Sequence, residues 1–146
     1  MPLATATPVL ATGFLPLFTP GFSTTAQAAD AWARAYAQYV VAGGIPAAVA
    51  KQPGLAAALT QAFNPAGNGI PAFLQALTVF WLGLPVPAQA GAVAAFLPVN
   101  PNLTSSQPPD ATAVQQANGL AQVMARLTMG AVKVQPFAPG PPVPIA

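Results

Sequence analysis

Residues 71–82 read PAFLQALTVFWL, a nearly continuous apolar run that opens with proline and contains no charged side chain. Proline is tolerated in the first turn of a helix, because the N–H group that it lacks has no partner there. The apolar side chains surround the predicted helix on nearly all sides, which is typical of a helix at the centre of a fold. This run therefore predicts a central helix in a mainly α protein.

Further helices are predicted on both sides of this run. Hydroxyl side chains at 23–25 offer N-caps for a helix that continues to about Ala42, where Gly43 and Gly44 stop it. The other predicted helical segments are a short turn at 46–51, a helix at 53–63, an Ala-rich helix at 87–97 and a last helix at about 110–129. Together they indicate a small bundle of about four to five short helices.

Prolines divide the chain into three parts. Residues 1–22 are apolar and interrupted by prolines, so we expect an extended N-terminal arm. Residues 23–131 form the predicted helical body, with a polar linker at 98–109. Residues 132–146 are expected to form an extended Pro-rich tail, which begins with an alternating stretch, Val132–Val134, typical of a short strand.

Helical spacing selects the side chains that we expect in the core. These apolar residues lie on the predicted helices: Trp32, Tyr36, Phe73, Leu77, Phe80, Trp81, Leu120, Met124 and Leu127. The arm and the tail have no core of their own, and their apolar residues are expected to contact neighbouring subunits. These predicted interface residues are Phe14, Leu15, Phe18, Phe22, Pro136, Phe137, Pro141 and Val143.

Charge is almost absent from the chain. Four basic and two acidic residues make up 4% of the sequence, whereas globular proteins carry about 25%. Residues 52–109 contain no charged side chain at all. A protein that stays apart from its neighbours needs a charged surface, so we expect partners to cover much of this one. Four scattered cations also exclude the dense basic patch of a nucleic-acid-binding protein.

The sequence lacks the usual equipment for catalysis. It has no histidine and no cysteine, which excludes a Ser-His-Asp triad, a disulfide and a thiolate metal site. Asp30 lies four residues before Arg34, as in a helical ion pair, and Asp110 lies at a predicted helix start. Gly67 and Gly69 lack the spacing of a phosphate-binding loop. The sequence therefore predicts a protein that is not an enzyme and that needs no cofactor or metal.

Targeting signals are not expected either. A small-x-small motif at 26–28 imitates a cleavage site, but no basic residue precedes it and prolines interrupt the apolar stretch. The best candidate for a membrane span, residues 72–84, is shorter than the about 20 residues that a span needs. We therefore expect no signal peptide and no transmembrane helix, while a peripheral role at a lipid surface stays open.

Several short motifs occur in a fixed order along the chain. They are AWARAY at 31–36, ALTVFW at 76–81, AQVMARLT at 121–128 and VKV at 132–134, followed by the Pro/Gly tail. In this order the chain resembles small structural proteins of bacteriophage virions. The resemblance implies a component of a virus particle and assigns no functional residue.

The sequence favours a non-enzymatic structural subunit of a large symmetric assembly. Near absence of charge suits permanent contacts, because no ion must lose its water. Stiff Pro-rich arms lose little entropy when they order on a neighbour. We expect a virion protein, such as a minor capsid, cement or tail component, that binds copies of itself and other virion proteins. Two alternatives are a peripheral membrane or lipid-associated protein and a small helical binding module.

Overall fold

A computed structural model of the chain describes residues 6–17, 24–63, 70–82, 84–86, 92–96, 112–135 and 143–144. Five α-helices make up most of these residues: α1 Thr7–Phe14, α2 Thr25–Ala42, α3 Gln52–Phe63, α4 Ile70–Trp81 and α5 Ala113–Ala131. Short 3-10 segments follow α1 at Leu15–Leu17 and precede α3 at Pro46–Lys51. The prediction of a mainly α fold with four to five helices is confirmed.

Capping residues explain where the two long helices begin and end. Thr24 precedes α2, and its side-chain oxygen accepts a hydrogen bond from the Gln27 N–H at 3.2 Å. After α2, Gly44 has a φ of 100°, a left-handed conformation that glycine adopts without strain. A capping box opens α5: the Thr112 hydroxyl accepts from the Gln115 N–H at 3.2 Å, and the Gln115 side chain accepts from the Thr112 N–H at 3.0 Å.

The N-terminal segment differs from the extended arm that the prolines predicted. Residues 7–17 are helical, and Leu10 and Phe14 of α1 are fully buried. Pro8 lies in the first turn of α1, where proline starts a helix instead of breaking it. This corrects the interface prediction for Phe14, which belongs to the core of its own chain. Leu15 is half-buried and packs against that core.

α2 connects most of the fold. It packs against both α1 and α3, while α3 contacts α4 and α1 contacts α5. The approach of α1 to α2 is especially close at Gly13, where an added Cβ would lie 2.5 Å from the Cβ of Ala35 and 3.0 Å from its Cα. Only glycine fits this crossing without moving one helix away from the other.

Four short strands form an antiparallel sheet in the order β1-β2-β3-β4. They are β1 Pro85–Val86, β2 Ala92–Phe96, β3 Val132–Gln135 and β4 Val143–Pro144. β2 and β3 pair from Val93 opposite Gln135 to Phe96 opposite Val132. Each of the two edge strands has two residues, and each contains a proline.

The sheet corrects one further prediction. The Ala-rich helix expected at 87–97 is wrong, because residues 92–96 are strand β2. Alanine favours a helix locally, but this segment obtains its hydrogen bonds from β3, which lies far along the chain. The tail predicted to be extended at 132–146 contains the strands β3 and β4, and Val143 and Pro144 pair with β3. The strand predicted at Val132–Val134 is confirmed.

Candidate interaction surface

α4 presents two apolar faces, and the described part of the chain covers only one of them. On the inward face Leu77, Phe80 and Trp81 are buried almost completely. On the outward face Val79 is 52% exposed, and Leu82, which follows the last residue of α4, is 64% exposed. The predicted central helix therefore buries one of its apolar faces and exposes the other, and we call Gln75, Val79 and Leu82 the α4 outer face.

One buried hydroxyl group fixes the orientation of α4. The Trp81 Nε1–H donates a hydrogen bond to the Tyr36 hydroxyl at 3.0 Å, and the same hydroxyl lies 2.6 Å from Thr128 Oγ1. The three residues belong to α4, α2 and α5, so one oxygen atom connects three helices. Buried polar groups of this kind are satisfied in one register only, which determines which side of α4 points outward.

Aromatic rings surround this hydrogen-bonded group. Trp32 stacks on Tyr36 with ring centroids 5.5 Å apart, and Phe80 meets Tyr36 edge to face at 5.3 Å. Phe73 meets Trp32 edge to face at 5.4 Å, and Phe14 lies 5.1 Å from the same ring. Such pairs are favourable beyond their buried area. The inward face of α4 is therefore held by both packing and geometry.

The two tyrosines differ in their hydrogen bonding. Tyr36 has two partners, whereas the buried Tyr39 hydroxyl has none among the described residues. Burial raises the pKa of Tyr39 to about 12. Burial also raises the pKa of Tyr36 far above its usual range, although its hydrogen bonds to Thr128 and Trp81 favour the charged form.

Most of the described charged side chains lie on α2 and α5, while Lys51 contacts the end of the α4 outer face. Asp30 and Arg34 of α2 form an exposed ion pair at 3.0 Å, so their charges offset each other. Arg126 is exposed on α5. Lys51 is half-buried, and its Nζ donates to the Leu82 carbonyl at 3.3 Å, beyond the C-terminal end of α4. Cations are favourable at that end of a helix, so Lys51 is engaged within the fold.

Uncharged residues are also exposed on the elements next to α4. Val49 in the 3-10 segment is 61% exposed, and the Lys51 hydrogen bond connects this segment to Leu82. The exposed residues of the 3-10 segment, α3 and α4 are all uncharged, and we call them the uncharged surface: Pro46, Ala47, Val49, Ala50, Pro53, Gly54, Ala57, Gln61, Pro71, Gln75, Val79 and Leu82. A surface of this composition can be covered by protein without stripping water from an ion.

The residues predicted to form the core occupy the following places. Trp32, Tyr36, Leu77, Phe80, Trp81, Met124 and Leu127 are buried, while Phe73 and Leu120 are half-buried against them. Thr128 is a buried partner that the apolar pattern could not indicate, since a lone threonine on a helix carries no local signal for a contact with Tyr36.

Of the predicted interface residues, Val143 lies in β4. Phe18, Phe22, Pro136, Phe137 and Pro141 lie outside the described residues, as do residues 64–69 and the linker predicted at 98–109.

A groove of about 210 Å³ lies between α1 and α5. Its lining consists of Pro8, Ala11, Thr12, Leu15, Ala117 and Asn118. Sites for cofactors and drug-sized ligands are usually about 300–1,000 Å³, so this groove does not suggest a cofactor site. Within the described residues no three potential metal ligands of the His, Cys, Asp or Glu type come together.

Within the described part of the chain, no helix combines the length and the hydropathy needed to span a bilayer. No protein-family model, no curated protein and no solved structure matches the chain. The function of this chain is therefore inferred from its own residues. Among them, the uncharged surface is the feature best suited to binding a partner.

Proposed function

We propose that this chain is a non-enzymatic structural subunit of a large symmetric assembly, namely a bacteriophage or virus particle. It would serve there as a minor capsid, cement or tail component, in contact with copies of itself and with other virion proteins. The observation that carries the proposal is the uncharged surface, on which Val49, Val79 and Leu82 each expose more than half of their side-chain area.

Physical chemistry supports a permanent partner for this surface. Exposed valine and leucine side chains gain about 25 cal/mol for each Å² of apolar area that a neighbour covers. The charges of Asp30 and Arg34 offset each other, while Lys51, which donates to the Leu82 carbonyl, keeps its positive charge at the edge of this surface. Obligate interfaces are more apolar than transient ones, and this surface has the composition of the former.

The proposal includes no catalytic role. A sequence without histidine and cysteine lacks the common bases, nucleophiles and metal ligands. Asp30, one of the two carboxylates, is held by Arg34 at 3.0 Å. The proposed role of the chain is thus structural: it packs between subunits and stabilises their contacts.

The test measures the mass and symmetry of the purified full-length chain. We expect size-exclusion chromatography with light scattering to give species many times the mass of one chain, and electron microscopy to show ordered copies. A chain that stays monomeric at every concentration contradicts the proposal. Flotation with neutral liposomes serves as the control, because a lipid-associated protein would float without forming symmetric particles.

A further inference from the structure

The residues on the outer side of α4 recur at the spacing of a helix-packing seam. Ala72, Gln75, Val79 and Leu82 follow one another at intervals of three, four and three residues, and we call these four residues the α4 stripe. Ala72 is half-buried and the other three are exposed. Leu82 continues the helical turn, because its N–H donates to the Val79 carbonyl at 3.3 Å. Alternating intervals of three and four are the pattern through which two helices pack side by side.

The fold holds α4 in place independently of this stripe. Leu77, Phe80 and Trp81 are buried on the opposite side, and the Trp81 Nε1–H donates to the Tyr36 hydroxyl at 3.0 Å. A stripe of this length does not stabilise an isolated helix, but here the core has already ordered the helix. A partner that packs on the stripe therefore does not have to order α4, and a preorganised surface binds at a smaller entropic cost.

Side-chain size varies along the stripe in a way that suits a second copy of the same helix. The smallest side chain, Ala72, lies at the N-terminal end, and the largest apolar side chain, Leu82, lies at the C-terminal end. A parallel pair sets Ala72 against Ala72 and Leu82 against Leu82, so the two ends require different spacings between the helices. An antiparallel pair sets Leu82 of one copy against Ala72 of the other at both ends. Facing positions that combine a large and a small residue interdigitate best.

The charge of Lys51 also favours the antiparallel orientation. Its Nζ donates to the Leu82 carbonyl at 3.3 Å, so each copy carries a cation at the C-terminal end of its stripe. A parallel pair brings the two cations to the same end, where they repel each other. In an antiparallel pair they are separated by the ten residues from Ala72 to Leu82, about 15 Å along the axis. This exceeds the Debye length of about 8 Å at physiological ionic strength.

We propose that two copies of this chain pair through the α4 outer face, with their α4 helices antiparallel and Leu82 of each copy against Ala72 of the other. The pairing rests on the proposed function, which it deepens by naming the occupant of this face. Such a contact uses the same surface patch on both copies. A second copy also brings no charged side chain into the stripe, so no ion within it has to lose its water.

The experiment uses the absence of cysteine from the sequence, so that each introduced thiol is the only one in its chain. In the antiparallel pair Gln75 of one copy faces Val79 of the other, and facing Cα atoms of helices packed 8–10 Å apart come within reach of a disulfide. Gln75→Cys and Val79→Cys, one with a mass tag, are co-expressed at full length and oxidised. Both positions are exposed, so neither substitution disturbs the core. The matched control pairs Gln75→Cys with Gln38→Cys, an exposed position on α2, and measures random collision of thiols.

We expect the disulfide-linked heterodimer of Gln75→Cys and Val79→Cys to be the main product, well above both homodimers and the Gln38→Cys control. Homodimers as the main products would show a parallel pair and overturn the proposal. If the unmodified chain forms large assemblies but the heterodimer does not exceed the control, the pairing is overturned and the proposed function stands. If the heterodimer is the main product but light scattering of the unmodified chain finds dimers and nothing larger, the pairing stands and the proposed function is overturned. A chain that is monomeric at every concentration, with no product above the control, overturns both.

Discussion

The inward and outward faces of α4 have similar side chains and opposite surroundings. Leu77, Phe80 and Trp81 are buried by the chain itself, whereas Val79 and Leu82 expose more than half of their area. On the inward face the Trp81 side chain donates a hydrogen bond to the Tyr36 hydroxyl, whereas the side chains of Val79 and Leu82 are apolar and cannot do so. The comparison shows that apolar composition alone does not distinguish a face that is buried within the fold from a face that is exposed to a partner.

The largest expected effect comes from emptying the inward face. Replacing Trp81 with Ala removes a fully buried side chain, so we expect the free energy of unfolding to fall by about 3–5 kcal/mol. Urea denaturation of the full-length chain measures the change. The matched control is Leu82→Ala on the outward face, for which the change should be close to zero in the monomer. Equal effects of both substitutions would abolish the distinction between the faces.

Alkaline pH should also lower the free energy of unfolding, because the two buried tyrosines ionise more readily in the unfolded chain. Tyr36 and Tyr39 are the two tyrosines of the sequence, and burial raises both pKa values, that of Tyr39 to about 12. In the unfolded chain tyrosine has a pKa of about 10. The folded state therefore keeps its protons longer, and its stability is fully present below pH 10 and falls as the pH rises toward 12.

Denaturant titrations between pH 8 and 12, with tyrosinate absorbance as a second signal, measure this dependence. Ionisation of tyrosine should accompany unfolding. Tyrosinate that appears near pH 10 in the folded protein would show that the phenols are not buried.

A smaller effect is expected from Tyr36→Phe, which keeps the ring and removes the shared hydroxyl. Trp81 Nε1–H and the Thr128 hydroxyl then lose their common partner in a buried site. We expect a loss of about 1–3 kcal/mol in the free energy of unfolding. Tyr39→Phe is the matched control, because its hydroxyl has no partner in the described structure. The control should be neutral or stabilising, and a larger loss from it than from Tyr36→Phe would refute the assignment.

The smallest effect on folding, and the clearest on assembly, is expected from the outward face. Val79→Gln with Leu82→Gln keeps the surface uncharged but removes its apolar area, so monomer stability should change by less than about 0.5 kcal/mol. The assembled fraction in sedimentation velocity should fall. Val9→Gln, at an exposed valine of α1, provides the control. Unchanged assembly in the double variant would exclude the α4 outer face from the interface.

Local signals were sufficient to predict most of the helices. Thr24 and the glycines after Ala42 set the ends of α2, and the proline at the start of α4 fixed its first turn. Helical spacing also selected Tyr36, Phe80 and Trp81, which the structure buries together. These predictions succeed because caps, breakers and apolar periodicity act within a few residues of each other.

Features that depend on distant partners were not predictable in this way. β2 is Ala-rich and locally favours a helix, but β3 supplies its hydrogen bonds. Thr128 becomes a core residue only because Tyr36 reaches it across the fold. The prolines of the N-terminal segment suggested an extended arm, yet Pro8 is compatible with the start of α1. Deletion of residues 1–20 would therefore remove Leu10 and Phe14 from the core and destabilise the folded chain.

The crossing of α1 and α2 at Gly13 has a consequence for how the sequence tolerates variation. Alanine is common throughout this chain, and most exposed positions would accept it at little cost. At Gly13 the same single methyl group would meet Ala35 at 2.5 Å and force two helices apart. In a set of random variants, position 13 should therefore be nearly invariant, although glycine has no side chain of its own.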